Sequence, residues 1–103
     1  MTLNTLYQKI RQRQKTLPGN SYVASLFLAG RDRIIQKVGE EASEVIIAAK
    51  NNNKKQIISE VADLWFHLLV LLVDNKITIK DIILELTKRK KINPDENSNR
   101  RPD

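Results

Sequence analysis

The sequence predicts an all-α fold, a helical bundle of four to five helices, on two observations. Apolar residues recur at spacings of three and four residues along most of the chain, and no stretch of credible length alternates as a strand does. Capping residues and glycine or proline stop signals divide this pattern into segments of helical length. In a chain of 103 residues without an internal repeat, the pattern is typical of one small helical domain.

The first two predicted helices are separated by a turn. Thr2 is the expected N-cap of the first helix, which runs to about Lys15, and the Pro-Gly-Asn sequence at residues 18–20 ends it. Ser21 is the expected N-cap of a short second helix, and Gly30 is placed to end that helix in a left-handed conformation.

The third and fourth predicted helices are longer. From Asp32 the apolar residues keep helical spacing until the asparagines at 51–53 interrupt them. Asn53 and Gln56 form a capping-box pair for the fourth helix. The apolar run of that helix, residues 64–73, is shorter than the roughly 20 residues of a membrane span, so it predicts a buried core helix.

The last predicted helix begins at a second capping-box pair. Thr78 and Asp81 form this pair, and Pro94 sets the outer limit of the helix. Residues 1–92 are therefore the predicted domain. Residues 93–103 contain nothing to bury and predict a disordered basic and polar tail.

The composition excludes several classes of function. The chain has no cysteine, which excludes disulfides, thiolate metal sites and cysteine nucleophiles. Its single histidine does not suit a catalytic zinc site, which usually takes two or three nitrogen or sulfur ligands. The N-terminus lacks the basic flank and apolar core of a secretory signal. We therefore expect a cytoplasmic protein. A small domain of this size would also gain stability from a partner surface.

The charge is unevenly distributed. Eighteen basic and twelve acidic side chains give a net charge of +6, which raises nucleic acid or an anionic membrane as a partner. The excess lies at the two ends, residues 1–20 and 88–103, whereas residues 21–87 are slightly acidic. We interpret it as solubilising or steering charge, so nucleic acid and membranes are not expected partners. A basic helical nucleic-acid-binding module remains the alternative from another class.

Two acid pairs, each spaced three residues apart, are the main chemical feature. Glu41 and Glu44 share one flank of the third helix, and Glu60 and Asp63 share one flank of the fourth. Two antiparallel neighbours can therefore bring four carboxylates together beside the core. An ordinary solvated helix face fits less well, because Glu40 and Glu44 repel each other and no acid of the set has a base four residues after it.

A divalent cation would relieve this repulsion. Ligation by carboxylates alone favours a hard ion, Mg²⁺ or Mn²⁺, over zinc. His67 faces the same way as Asp63, either as a satisfied structural residue or as a contact to the site or the substrate. Trp65 is expected to pack in the core.

The acids and their spacing resemble a known superfamily. Glu40-Glu41-x-x-Glu44, followed by Glu60-x-x-Asp63, is similar to the signature of the all-α NTP pyrophosphohydrolase (MazG-type) superfamily. The acid motif identifies the superfamily but not one family within it. A house-cleaning pyrophosphohydrolase of (d)NTPs is therefore the alternative within the same chemistry.

Three further runs, at residues 37–39, 48–51 and 67–72, resemble the phosphoribosyl-ATP pyrophosphohydrolase family, and the likeness covers about residues 3–90. The resemblance implies hydrolysis of 1-(5-phosphoribosyl)-ATP to 1-(5-phosphoribosyl)-AMP and pyrophosphate, the second step of histidine biosynthesis. It also implies a cytoplasmic homodimer. In many bacteria this domain is fused to the enzyme of the next step, and here the free-standing form is expected.

The resemblance also implies roles for particular residues. By motif position the metal ligands would be Glu41, Glu44, Glu60 and Asp63. Glu40 would support the site or orient water, so that the catalytic group comprises Glu40, Glu41 and Glu44. The candidate substrate contacts are Lys37, which comes first, Lys50 and His67.

Overall fold

The computed structural model describes residues 1–89, which form five α-helices and contain no strand. In chain order the helices are α1 (Leu3–Thr16), α2 (Tyr22–Ala29), α3 (Arg31–Lys50), α4 (Lys54–Asp74) and α5 (Ile79–Lys88). The prediction of an all-α bundle of four to five helices is confirmed. The expected limit at Pro94 and the predicted tail at residues 93–103 lie outside the described residues.

Side-chain caps begin four of the five helices, at the residues that the sequence predicts. Each capping side chain accepts a hydrogen bond of 3.0–3.1 Å from the backbone N–H three residues later, and the caps are Thr2, Ser21, Asn53 and Thr78. At the two threonines the bond is reciprocated, since their own N–H groups donate to Thr5 and Asp81 at 2.9 Å. A cap of this kind typically stabilises a helix by about 1 kcal/mol.

Two helix ends have unusual backbone conformations. The first helix ends before residues 18–20, as predicted, and Leu17 takes the left-handed conformation that ends it, with φ 47° and ψ 55°. Gly30 ends α2 as predicted, but its φ of 104° and ψ of 177° lie outside the left-handed helical region, so that part of the prediction is wrong. This backbone conformation is almost restricted to glycine. It lets Gly30 end α2 and precede α3 directly.

A helical hairpin of α3 and α4 is the centre of the fold. The short turn at residues 51–53 joins them as antiparallel neighbours, and α1 and α2 pack against this pair. The core between them is small, with Ile10, Ile34 and Val70 fully buried. The hairpin therefore places the acidic flanks of α3 and α4 side by side.

Helix α4 is longer than its apolar run. With 21 residues it is the one helix among residues 1–89 whose length and composition would allow it to cross a membrane, a property shared by core helices of soluble proteins. The length of the helix thus does not exclude a membrane span, although its apolar run at residues 64–73 is too short for one. In the bundle α4 packs against α1 and α3, and it buries His67 and Val70, whereas Trp65, expected in the core, is 51% exposed.

Candidate functional site

Three carboxylates from the two central helices meet at one place. Glu41 of α3 and Glu60 and Asp63 of α4 each offer an oxygen atom, and these oxygens all lie within 4.8 Å of one another. Glu41 is nearly enclosed, with 12% of its side chain exposed, whereas Asp63 is exposed. We call Glu41, Glu60 and Asp63 the carboxylate cluster.

Glu44 lies one turn after Glu41 on α3 and is exposed. It is close enough to the cluster to affect Glu60. Desolvation raises the pKa of Glu60 above its ordinary value, and the negative charges of Glu44, Asp63 and Glu41 raise it further. The structure thus brings three of the four expected ligands together and places the fourth beside them.

Among residues 1–89, Lys37 is the basic residue that pairs with acids of this site. Its ammonium Nζ lies 3.3 Å from Oε2 of Glu41, one turn along α3, and 3.6 Å from Oε1 of Glu40. Partial burial lowers the pKa of Lys37, but the hydrogen bond to Glu41 and the nearby Tyr22, Glu41 and Glu40 outweigh it, so that the pKa is raised overall. The ammonium therefore stays charged at the rim of the cluster.

Glu40 lies at the edge of the site rather than in the cluster. Its Oε2 accepts a hydrogen bond from Nε2 of Gln36 at 2.9 Å, and its Oε1 faces Lys37. Nearly half of the side chain is exposed. A carboxylate held at this edge can accept a hydrogen bond from water at the rim of the cluster.

His67 is buried and uses both ring nitrogens inside the protein. Nδ1 lies 2.8 Å from the backbone oxygen of Asp63, and Nε2 lies 2.9 Å from the hydroxyl oxygen of Tyr22. These bonds give the histidine a structural role beside the cluster. Tyr22 also lies beside the site. Its contact with His67 joins residues 45 positions apart, so the sequence alone does not indicate it.

Lys50 lies apart from the cluster. It is the exposed last residue of α3, nine positions after Glu41, or about 13 Å along the helix axis at the usual rise. That separation exceeds the reach of one lysine side chain. Lys50 and the carboxylate cluster could touch the same molecule only if that molecule were long.

The donor set of the cluster fits a hard divalent cation. Carboxylate oxygens are preferred ligands of Mg²⁺, and ligands at 2.1 Å from one ion lie at most about 4.2 Å apart. The oxygens of the cluster, which lie within 4.8 Å, would need only a small side-chain adjustment to meet that limit. Desolvation and the negative charges of its neighbours both disfavour the charged form of Glu60, and a bound cation would offset this cost.

Comparisons with known proteins give one consistent result. The sequence profile of the phosphoribosyl-ATP pyrophosphohydrolase family matches residues 3–90. A phosphoribosyl-ATP pyrophosphatase of Leptospira biflexa is 56% identical over 80 residues, which are 78% of this chain and 87% of that protein. A phosphoribosyl-ATP pyrophosphatase of Bacillus cereus is 45% identical over 84 residues, 82% of this chain and 78% of that protein.

A longer relative also matches. The histidine biosynthesis bifunctional protein HisIE of Caldanaerobacter subterraneus is 51% identical over 89 residues, which are 86% of this chain but 43% of that protein. The matched part therefore corresponds to fewer than half of the residues of the bifunctional protein.

Proposed function

Because the chain belongs to the phosphoribosyl-ATP pyrophosphohydrolase family, we propose that it hydrolyses 1-(5-phosphoribosyl)-ATP to 1-(5-phosphoribosyl)-AMP and pyrophosphate. This reaction is a step of histidine biosynthesis, in agreement with the name of the HisIE relative. The observation that carries the proposal is the match over residues 3–90, which includes the carboxylate cluster. As a biosynthetic enzyme it would act in the cytoplasm.

Glu41, Glu60 and Asp63, with Glu44 beside them, would hold Mg²⁺, or Mn²⁺ in its place. The support is that oxygens of Glu41, Glu60 and Asp63 meet, and that the pKa of Glu60 is raised by desolvation and by its acidic neighbours, Glu44 among them. When bound, such an ion supplies positive charge to phosphate oxygens and lowers the pKa of a bound water.

The remaining groups of the site would bind and orient the reactants. Lys37 presents a charged ammonium at the rim, where a phosphate could replace part of its contact with Glu41. Glu40 would orient the attacking water through its exposed carboxylate. Lys50 would contact only a distant phosphate of the substrate, and His67 would act on the substrate only indirectly, since both of its nitrogens are occupied.

The enzyme would act as a homodimer. An apolar groove of about 380 Å³ lies between α4, α5 and the start of α1, and its walls include Trp65, Leu68, Ile82 and Ile83. Each of these four side chains is exposed in the single chain. Large exposed apolar patches mark interaction surfaces, and a second copy would cover this one.

The test is an assay of pyrophosphate release with authentic phosphoribosyl-ATP and Mg²⁺, run beside a panel of ordinary dNTPs. We expect turnover of phosphoribosyl-ATP only. Glu41→Gln should lose both Mg²⁺ binding, measured by calorimetry, and activity. Glu40→Gln should keep Mg²⁺ binding but lose most of the activity.

Glu85→Gln is the matched control, because Glu85 is an exposed carboxylate of α5 that pairs only with Arg89 among the described residues. It should behave as the unmodified protein. Hydrolysis of dNTPs without hydrolysis of phosphoribosyl-ATP would overturn the substrate assignment. Full activity of Glu41→Gln would overturn the proposed role of the carboxylate cluster.

A further inference from the structure

A cavity of about 500 Å³ lies between α1 and the turn that follows α4. Its apolar lining residues are Tyr7 and Val73, both of them buried side chains of the core. Val73 stands ten residues after Asp63 on α4, or about 15 Å along the helix axis at the usual rise. The cavity is therefore separate from the carboxylate cluster.

Three basic side chains and no acidic one line this cavity, namely Arg11, Lys15 and Lys76. Arg11 and Lys15 stand four residues apart on α1, so they share one face of the helix and repel each other. Among residues 1–89 none of the three forms an ion pair, although Asp74 directly follows Val73 on α4. The cavity thus holds positive charge that no acid of the described residues pairs with.

Lys76 occupies a backbone position that favours glycine, with a φ of 58°. The turn holds this conformation through two backbone hydrogen bonds. The N–H of Lys76 donates to the oxygen of Val73 at 3.1 Å, and the next N–H donates to the oxygen of Leu72 at 2.9 Å. Helices often end in this way on a glycine, because a side chain disfavours the left-handed conformation. The turn itself does not favour a lysine there, and what the lysine adds is a third positive charge in the cavity.

The lining suits an anionic group attached to a small organic molecule. Basic groups from two parts of the chain can surround phosphate oxygens, which accept charge-assisted hydrogen bonds. The amides of Gln8 and Gln14 can donate and accept further hydrogen bonds, and Tyr7 and Val73 offer apolar contact. The volume also falls within the range of about 300–1,000 Å³ that is usual for small-molecule sites.

We propose that this cavity binds a phosphorylated small molecule, whose phosphate oxygens are held by Arg11, Lys15 and Lys76. The proposal does not rest on the proposed function, because the cavity lies apart from the carboxylate cluster and needs no metal. It also gives a specific role to part of the basic excess at residues 1–20, which the composition alone leaves as solubilising or steering charge.

Calorimetry with inorganic tripolyphosphate in EDTA tests the site. Without a metal ion the carboxylate cluster repels this anion, so binding reports on basic side chains. We expect one tripolyphosphate per chain, and Arg11→Gln should weaken its binding about tenfold or more, as loss of a hydrogen bond to a charged group does. Arg13→Gln is the matched control, because Arg13 is an exposed arginine of the same helix that does not line the cavity.

Lys76→Gly separates a loss of binding from a loss of folding. Glycine adopts the backbone conformation of residue 76 readily, so the thermal midpoint of the free protein should not fall, while tripolyphosphate affinity should fall about tenfold. Asn52→Gly is the control, because Asn52 also has a left-handed φ, 54°, but does not line the cavity. It should keep full affinity. Full affinity in Lys76→Gly would overturn the proposal.

Three other outcomes would overturn it as well. Absence of binding by the unmodified protein would remove the site. Equal losses in Arg11→Gln and Arg13→Gln would show a general attraction of anions, nucleic acid included, to a basic chain. An equal loss in Lys37→Met would place the anion at the rim of the carboxylate cluster instead. Hydrolysis of phosphoribosyl-ATP is measured separately, so a failure of the proposed function would leave these results unaffected.

Discussion

The environment of Glu60 lowers the stability of the metal-free protein. Its charged form is disfavoured by desolvation and by the negative charges of Glu44, Asp63 and Glu41. Lys37 neutralises the neighbouring Glu41 but is not among the groups that affect Glu60. The metal-free protein therefore carries an unfavourable charge at a position that a bound cation would stabilise.

Glu60→Gln should stabilise the metal-free protein and weaken Mg²⁺ binding. The pKa of Glu60 is raised in the folded state, so folding takes up a proton between the ordinary and the raised pKa. The contribution of Glu60 to stability therefore falls as pH rises through that window and stays unfavourable above it. Removing the charge should raise the thermal midpoint at pH 7, and this gain should vanish at a pH below the ordinary pKa of glutamate.

Thermal unfolding followed by circular dichroism, in EDTA and in excess Mg²⁺, measures both effects. Glu85→Gln serves as control, because among the described residues Glu85 makes one ion pair, an exposed one with Arg89. Its thermal midpoint at pH 7 should change little or fall slightly. A lower midpoint for Glu60→Gln in EDTA would contradict the electrostatic account of the site.

The acids of the site could be predicted from the sequence, and their neutralising partner could not. Helical periodicity alone places Glu41 and Asp63 on flanks that face each other across a hairpin. No acid of the set has a base four residues after it, but Lys37 stands four residues before Glu41 and pairs with it in the structure. Tyr22 depends on the packing of α2 onto α4, which no local spacing indicates.

Local hydrogen bonds support helix α5, which packs little against the other helices. It buries none of its ten residues and contacts α1 only through a few neighbours. Its N-terminus is held by the reciprocal bonds of Thr78 and Asp81. The backbone and side-chain hydrogen bonds to Thr78 lower the pKa of Asp81, and burial opposes this only partly.

Thr78→Ala should loosen α5 without unfolding the bundle. Loss of the cap costs about 1 kcal/mol, or roughly fivefold in the opening equilibrium. Amide hydrogen exchange in α5 should therefore accelerate about fivefold, while exchange in α3 and α4 should stay unchanged. The lowered pKa of Asp81 predicts that the bond from the Thr78 N–H to the Asp81 carboxylate is at full strength above the ordinary aspartate pKa and is lost as pH falls through the folded-state pKa.

Thr87→Ala is the control within the same helix. Within residues 1–89, the hydroxyl of Thr87 bonds to the carbonyl of Ile83, one turn back, and caps no helix N-terminus. Its replacement should change exchange in α5 by less than Thr78→Ala does. Equal effects of the two variants would show that the cap does not hold the helix.

Element boundaries were predictable where a side chain defines them. The starts at Thr2, Ser21, Asn53 and Thr78 follow from capping chemistry and agree with the structure. The end of α1 was harder to predict, because Leu17 adopts a left-handed conformation that its residue type disfavours. Pro18 disfavours a right-handed helical conformation at Leu17, so the sequence indicates where α1 stops but not which conformation Leu17 adopts there.

The bundle formed by residues 1–89 has a small core and much exposed apolar surface. Among these residues Ile10, Ile34 and Val70 are the largest fully buried side chains, whereas Ile83, Leu84 and Trp65 are all more than half exposed. Helix periodicity predicts which residues form an apolar face, but it does not predict which faces one chain can cover by itself. The uncovered face of α4 and α5 is the part of the fold that a second copy would complete.

Ile83→Lys should convert the proposed homodimer to a monomer. Ile83 is 53% exposed and belongs to the wall of the apolar groove. A charge there would lose its hydration in the dimer interface, which is unfavourable. The single chain would lose no buried contact, because the side chain is exposed in it. Analytical ultracentrifugation should show a shift to the mass of one chain. Ile47→Lys is the control, because Ile47 is similarly exposed on α3 but does not line the groove. If Ile47→Lys dissociated the dimer and Ile83→Lys did not, the interface would lie on α3 rather than on the groove.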